Sequence, residues 1–119
     1  MIDKPFEHEA LKEHVKSRTF DTGSRRDAND NKPRISDLKA YTRKRFGFHM
    51  LKGAKNYGVG NFEKGQPTDS SLESIHRHLT DYELGDRSED HLSACIFGLQ
   101  LIMLNEQRDN VQPDHYYKP

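Results

Sequence analysis

Apolar residues recur at helical spacing in several stretches of this 119-residue chain. Leu38, Tyr41, Phe48, Leu51 and Ala54 mark one side of a helix that Ser36 or Asp37 can cap and that runs to about Tyr57. Gly47 weakens it by about 1 kcal/mol relative to Ala, and Gly58 and Gly60 supply its stop. A second stripe, Leu72, Ile75, Leu79 and Tyr82, follows Ser70 and Glu73 at capping-box spacing and closes at Gly85. A third, Leu92, Ile96, Leu99 and Met103, predicts a helix from a Ser88 cap to about Gln107. A shorter helix is predicted over 5–18, with Phe6, Ala10, Leu11 and Val15 near one face. Residues 19–35 carry turn chemistry without a period and predict an irregular arm. No strand pattern and no internal repeat emerge. The expected fold is all-α: a small bundle of three main helices with an irregular N-terminal arm, completed by self-association. The expected organisation is an N-terminal helix and arm over 1–35, a helical domain over 36–107 and a loose tail over 108–119.

Composition supports self-association. Apolar residues make up 32% of the chain and glycines number 8, below the roughly 45–50% of an ordinary soluble domain counted with Gly. A monomer this small buries only about two thirds of its surface. The 19 basic and 19 acidic residues cancel, which argues against direct nucleic-acid binding as the main task while allowing a local basic pocket. A single cysteine, Cys95, permits no intrachain disulfide, so a reducing cytoplasm is the expected compartment. The N-terminus lacks an apolar signal core, and "ACIFGLQLIML" is about half a membrane span. Amid such residues the Cys95 thiolate is disfavoured, and no GxSxG elbow offers another nucleophile.

Two segments carry candidate chemistry. "HRHLTDYELGDRSEDHL", residues 76–92, holds His76, His78 and His91 among Asp81, Glu83, Asp86, Glu89 and Asp90. The tight Gly85-Asp86-Arg87 link makes the flanking helices antiparallel neighbours, so His78 and Asp81 can face Asp90 and His91. Carboxylates suit Mg²⁺, while imidazoles admit Mn²⁺ or another transition ion. Capping, the helix dipole and solvation account for the same acids without a metal, and from spacing alone they are the stronger reading. In "KGAKNYGVGNFEKG", residues 52–65, lysines and aromatics surround glycines. Phosphate contact and base stacking are one reading, a helix C-terminus with its usual glycine and lysines the other. The arm adds Arg25, Arg26, Lys32 and Arg34.

Taken in order, "TGSRRDANDNKPR" (22–34), "LKGAKNYGVGNFEKG" (51–65) and "HRHLTDYELGDRSEDHLSACIFGLQLI" (76–102) resemble the phage and bacterial family of dATP/dGTP diphosphohydrolase N-terminal domains. That family is similar to MazG-like all-α pyrophosphatases, which use Mg²⁺ held by helix carboxylates. Phe62 stands for the family's Trp, Asn31 for a glycine, and Phe97-Gly98 for a Trp-Asn pair. The MazG-type ExxE and ExxD helices are not plainly present, and His78 and His91 occupy comparable places.

The resemblance implies hydrolysis of a purine deoxynucleoside triphosphate to monophosphate and pyrophosphate, in the host cytoplasm if the chain is phage-encoded. It places Mg²⁺, with Mn²⁺ as a substitute, among Asp86, Glu89 and Asp90, with His78 and His91 as ligands or orienters. Glu89, Asp90 and His91 are the implied catalytic groups, Glu89 taking the water's proton. Lys55, Lys64 and Arg77 would meet phosphates, Arg34 closing over them, and Tyr57, Asn61 and Phe62 would meet base or sugar. One site would draw on two subunits of a homo-oligomer. The alternatives are a non-catalytic nucleotide-binding protein, which the loss of an amide at Gly98 would suit, and a phage scaffold protein.

Overall fold

The computed structural model describes residues 17–28 and 32–117 and is mostly helical. Residues Leu38–Asp109 form one compact unit, and the segments on either side of it group as another. In the first, α1 (Ala40–Tyr57), α2 (Thr68–Glu83) and α3 (His91–Arg108) follow in order, with a 3₁₀ turn at Asn61–Lys64 between α1 and α2. This is the expected three-helix arrangement.

The arm departs from expectation. Ser17–Thr19 (β1) and Arg25–Asp27 (β2) pair antiparallel, Ser17 opposite Asp27 and Thr19 opposite Arg25. The turn is closed by the Gly23 N–H on the Phe20 carbonyl and the Phe20 N–H on the Ser24 carbonyl, 2.8 Å each. Both strands are exposed and polar, so they lack the apolar alternation that announces a strand. A 3₁₀ turn, Ile35–Asp37, follows. The helix expected over 5–18 lies outside the described residues except for Ser17 and Arg18, which are in β1. In the tail, the His115 N–H donates to the Gln112 carbonyl and the Tyr117 N–H to the Asp114 carbonyl, both at 3.0 Å.

The helix starts also differ. Lys39 precedes α1 and Pro67 precedes α2, neither with a side-chain cap, so neither the Ser36/Asp37 cap nor the Ser70–Glu73 box forms. At α3 the cap is Asp90, not Ser88.

The larger correction concerns which residues face inward. Tyr41 is 73% exposed and Phe48 62%, and Leu38, Leu51, Leu72, Leu79, Leu99 and Met103 are exposed as well. The inward stripe of α1 is instead Arg45, Phe46, His49, Met50, Gly53 and Ala54, all half-buried. Small groups build the α2–α3 seam: Ser71 on one side, Ala94 and Gly98 on the other, with Leu101 below. A Cβ placed on Gly98 would lie 2.5 Å from Ile75 Cγ1 and 3.5 Å from the Ser71 carbonyl oxygen. The helices approach so closely that bulk cannot fit between them, and the large apolar side chains are displaced outward. Among the described residues the buried hydrophobics are Ala94 and Leu101.

The seam therefore depends on the missing side chain at 98. Gly98→Ala is expected to cost about 1–3 kcal/mol through overpacking, despite the better helix propensity of Ala. Ile75→Ala, which removes both contacting atoms, should cost less in the Gly98→Ala background than in the parent by urea unfolding, whereas equal stability of Gly98→Ala and the parent would refute the contact.

Candidate functional site

The Gly85-Asp86-Arg87 link turns α2 back onto α3. Gly85, at φ 92°, donates its N–H to the Tyr82 carbonyl at 3.0 Å, and Asp86 donates to the Asp81 carbonyl at the same distance. Arg87 lies over the Tyr82 ring, 3.9 Å from its centroid, and donates to the Tyr82 and Asp86 carbonyls at 2.9 Å each. The turn is thus clasped at both ends. It brings His78, one turn from the end of α2, against His91, the first residue of α3.

The two imidazoles meet at 2.9 Å, Nδ1 to Nδ1. His91 is 3% exposed, and its Nε2 stands 2.7 Å from Asp86 Oδ2. Asp86 also accepts from the Ser88 N–H at 3.0 Å and the Ser88 hydroxyl at 3.1 Å. His91, then Ser88, hold the Asp86 carboxyl down at about 2. Glu89 Oε1 stands 3.6 Å from His78 Nδ1. Among the described residues, two sets of possible metal donors share His91: His78, Glu89 and His91, and Asp81, Asp86 and His91, each with ligand atoms within 4.8 Å of one another.

Asp90 is in neither set. Its Oδ2 accepts from Arg45 Nε at 2.7 Å and the Ser93 hydroxyl at 2.8 Å. Its Oδ1 accepts from Arg45 Nη2 at 2.9 Å and the Ser93 N–H at 3.1 Å. A carboxylate offers about four acceptor positions, and this one uses four. The Arg45 hydrogen bonds hold the Asp90 carboxyl far below the ordinary range, and the same bonds push the Arg45 guanidinium up.

The C-terminal part of α1 and the loop beyond it line a cavity of about 510 Å³. Gly58, at φ 95°, ends the helix with its N–H on the Ala54 carbonyl, and the chain then folds back through the 3₁₀ turn. Asn105 and Arg108 of α3 fasten this loop. Asn105 Nδ2 donates to the Gln66 carbonyl at 2.8 Å and to the Thr68 hydroxyl at 3.1 Å, and Arg108 Nη2 donates to the Glu63 carbonyl at 2.7 Å. Tyr57, Phe62 and Phe97 supply aromatic wall, Lys52 a cation, and Gly53, Gly58 and Gly60 open backbone. Phe62 meets Phe97 edge-on at 6.4 Å between centroids.

His49 joins the two regions. It lines the cavity, tilts against Phe97 at 5.6 Å, and follows Arg45, the partner of Asp90, by one turn of α1. Burial first, then Lys52, lowers its pKa below the ordinary 6.5.

The sequence-predicted residues therefore separate. His78, Glu89 and His91 come together, with Asp86 behind His91. Tyr57, Asn61 and Phe62 line the cavity. Lys55 borders a shallower depression beside Phe48 and Leu51, and the lysine in the cavity is Lys52. Lys64 and Arg77 are exposed. Arg34 pairs with Asp37 at 2.6 Å in the other compact unit. Sequence reasoning overlooked Arg45 and His49, although they stand four apart on one helix face. The signal was available as the 45, 46, 49, 50, 53, 54 stripe, masked by bulkier residues outside it. Cys95 agrees with expectation: its Sγ lies 3.6 Å from the Ile75 carbonyl, and burial pushes the thiol pKa up.

The family model described as "dATP/dGTP diphosphohydrolase, N-terminal" matches residues 22–114, which span β2, all three helices, the corner and the cavity. The chain belongs to that family. The family's name is that of a diphosphohydrolase, a hydrolase acting on acid anhydrides, with a nucleotide as substrate. Searches of the curated proteins and of the solved structures gave no match. No helix among the described residues is long and apolar enough to cross a membrane.

Two outcomes follow from the charges. Asp86 and Asp90 both have folded pKa values below the ordinary 3.8, so their stabilisation is complete above about pH 4 and lost as pH falls toward 2 and below. Asp90→Asn should flatten the acid side of the stability curve, and Asp90→Ala should cost about 2 kcal/mol at pH 7 by also removing the α3 cap. An acid limb unchanged by Asp90→Asn would contradict this. For His49, imidazole NMR should give a midpoint below 6.5, with its contribution to stability present above 6.5 and declining on acidification. A midpoint above 6.5 would contradict the burial argument.

Proposed function

We propose that the chain hydrolyses purine deoxynucleoside triphosphates, dGTP or dATP, to monophosphate and pyrophosphate with the help of a divalent cation. The observation that carries this reading is that one helix serves two different kinds of site. An aromatic, glycine-opened cavity with a lysine suits a nucleotide, a corner of imidazoles and carboxylates suits a cation, and α1 supplies His49 to the first while Arg45, one turn earlier, holds Asp90 beside His91 of the second.

In this reading the base stacks on Tyr57 or Phe62, and Asn61 contacts base or sugar. Lys52 neutralises phosphate from inside the cavity, and Lys55, Lys64 and Arg77 do so from its surroundings. Water attacks the α-phosphorus, the bond to the bridging oxygen breaks, and pyrophosphate leaves. Glu89 accepts the water's proton through the carboxylate oxygen not turned to His78. The cation, when bound, supplies positive charge to the phosphoryl oxygens. Asp90 acts as a positioning residue, because its acceptors are spent on Arg45 and Ser93. A second copy would cover the exposed Tyr41, Phe48 and Leu51 face of α1, giving a homo-oligomer whose site is shared.

The non-catalytic reading drew on the missing amide at Gly98. In this chain the Cβ direction at 98 points into Ile75, away from the cavity lining, which weakens that ground.

Incubation with dGTP or dATP and a divalent cation should release dGMP or dAMP together with pyrophosphate, resolved by chromatography. Tyr57→Ala, at an exposed position, should raise KM about tenfold, as expected for the loss of one stacking partner. Calorimetric binding without product would favour a nucleotide-binding protein, and neither binding nor product across a nucleotide panel would sink both readings.

A further inference from the structure

We infer that the α2–α3 corner is a transition-metal site whose ligands are His78 Nδ1, His91 Nδ1 and the Glu89 carboxylate, with Asp86 orienting His91. This deepens the proposed function, resting on its assignment of the cation to this corner, but its ligand chemistry can be tested without any nucleotide.

The distances lead to this set. Two nitrogens bound to one ion at ~2.1 Å and at right angles stand ~3.0 Å apart. The two Nδ1 atoms are 2.9 Å apart. Without an ion this contact requires one proton between them, and that proton occupies the place an ion would take. Glu89 Oε1, 3.6 Å from His78 Nδ1, adds a third donor at a wider angle and leaves the remaining positions open.

The tautomer follows from Asp86. Its carboxylate, 2.7 Å from His91 Nε2, keeps a proton on that nitrogen and leaves the Nδ1 lone pair pointing at His78. A carboxylate behind a ligating imidazole is the usual support of a metal-binding histidine. Asp86 is itself fixed by the N–H and hydroxyl of Ser88, so the orientation exists before any ion arrives. The competing set, Asp81, Asp86 and His91, would need His91 Nε2 to exchange its proton for the ion and would break the Asp86 support.

Donor chemistry then selects the ion. Mg²⁺ demands an octahedron of oxygens, whereas two imidazoles and one carboxylate with open positions suit Mn²⁺, Fe²⁺, Co²⁺ or Zn²⁺. Asp90, the additional carboxylate that could have made the corner oxygen-rich, is withdrawn by Arg45 and Ser93.

The test uses the full chain freed of metal by a chelator. Co²⁺ should titrate to one ion per chain, about 100-fold or more tighter than Mg²⁺. Proton NMR of the Co²⁺ protein should show two strongly shifted exchangeable imidazole N–H signals, one of them lost in His78→Gln. Asp86→Asn should weaken Co²⁺ binding by about 10–100-fold, while Asp81→Asn leaves it unchanged. Absence of a preference over Mg²⁺, a single or no shifted imidazole signal in the parent, or a loss with Asp81→Asn equal to that with Asp86→Asn would each overturn the ligand set. Turnover of dGTP with Mg²⁺ by a chain that takes up no Co²⁺ would overturn the ligand set alone. Uptake of Co²⁺ through both histidines without turnover of any nucleotide would keep the ligand set and overturn the hydrolase reading.

Discussion

The bidentate contact between Arg45 and Asp90 organises the helical unit. Asp90 simultaneously closes the first turn of α3 through Ser93 and grips the middle of α1 through both arms of a guanidinium. Elsewhere α1 meets the rest through a sparse set of half-buried groups, so one planar, charge-assisted contact sets where His49 and the C-terminal half of α1 lie. The cavity sits at that C-terminal half and the corner at the start of α3. This ion pair thus ties the helix that lines the cavity to the start of α3. It also withdraws a carboxylate from the corner, which makes the local donor set richer in nitrogen than the acidic sequence suggests.

The α2–α3 pair follows a different principle. Its closeness comes from atoms that are absent, at Gly98 above all, and from the small groups of Ala94 and Ser71. Close packing of backbones compensates for the scarcity of buried bulk, and it places His78 and His91 near enough to share a proton. On α1, Tyr41, Phe48 and Leu51 stay exposed among lysines and arginines.

The order and approximate limits of the three main helices were legible, because period and glycine stops are local properties. The corner was legible too: a short Gly85-containing link leaves little freedom in how two helices meet. The inward faces were not, because periodicity was weighed by side-chain size, and this seam selects for smallness. Leu72 and Leu79 look like core and lie outside, while Ser71 looks like surface and is buried. The hairpin of the arm was invisible because Ser17–Thr19 and Arg25–Asp27 hold six polar residues. The Arg45–Asp90 pairing was hidden for a related reason: its members are 45 residues apart in the chain, and no pattern in a single sequence announces such a contact.

The loop from Gly58 to Gln66 is held from outside itself, by Asn105 and Arg108 on the far end of α3. Its backbone entropy is spent during folding rather than at recognition. A guest entering there meets a wall already in place, so discrimination between guests will come from shape and stacking rather than from how well each one can draw a flexible segment closed.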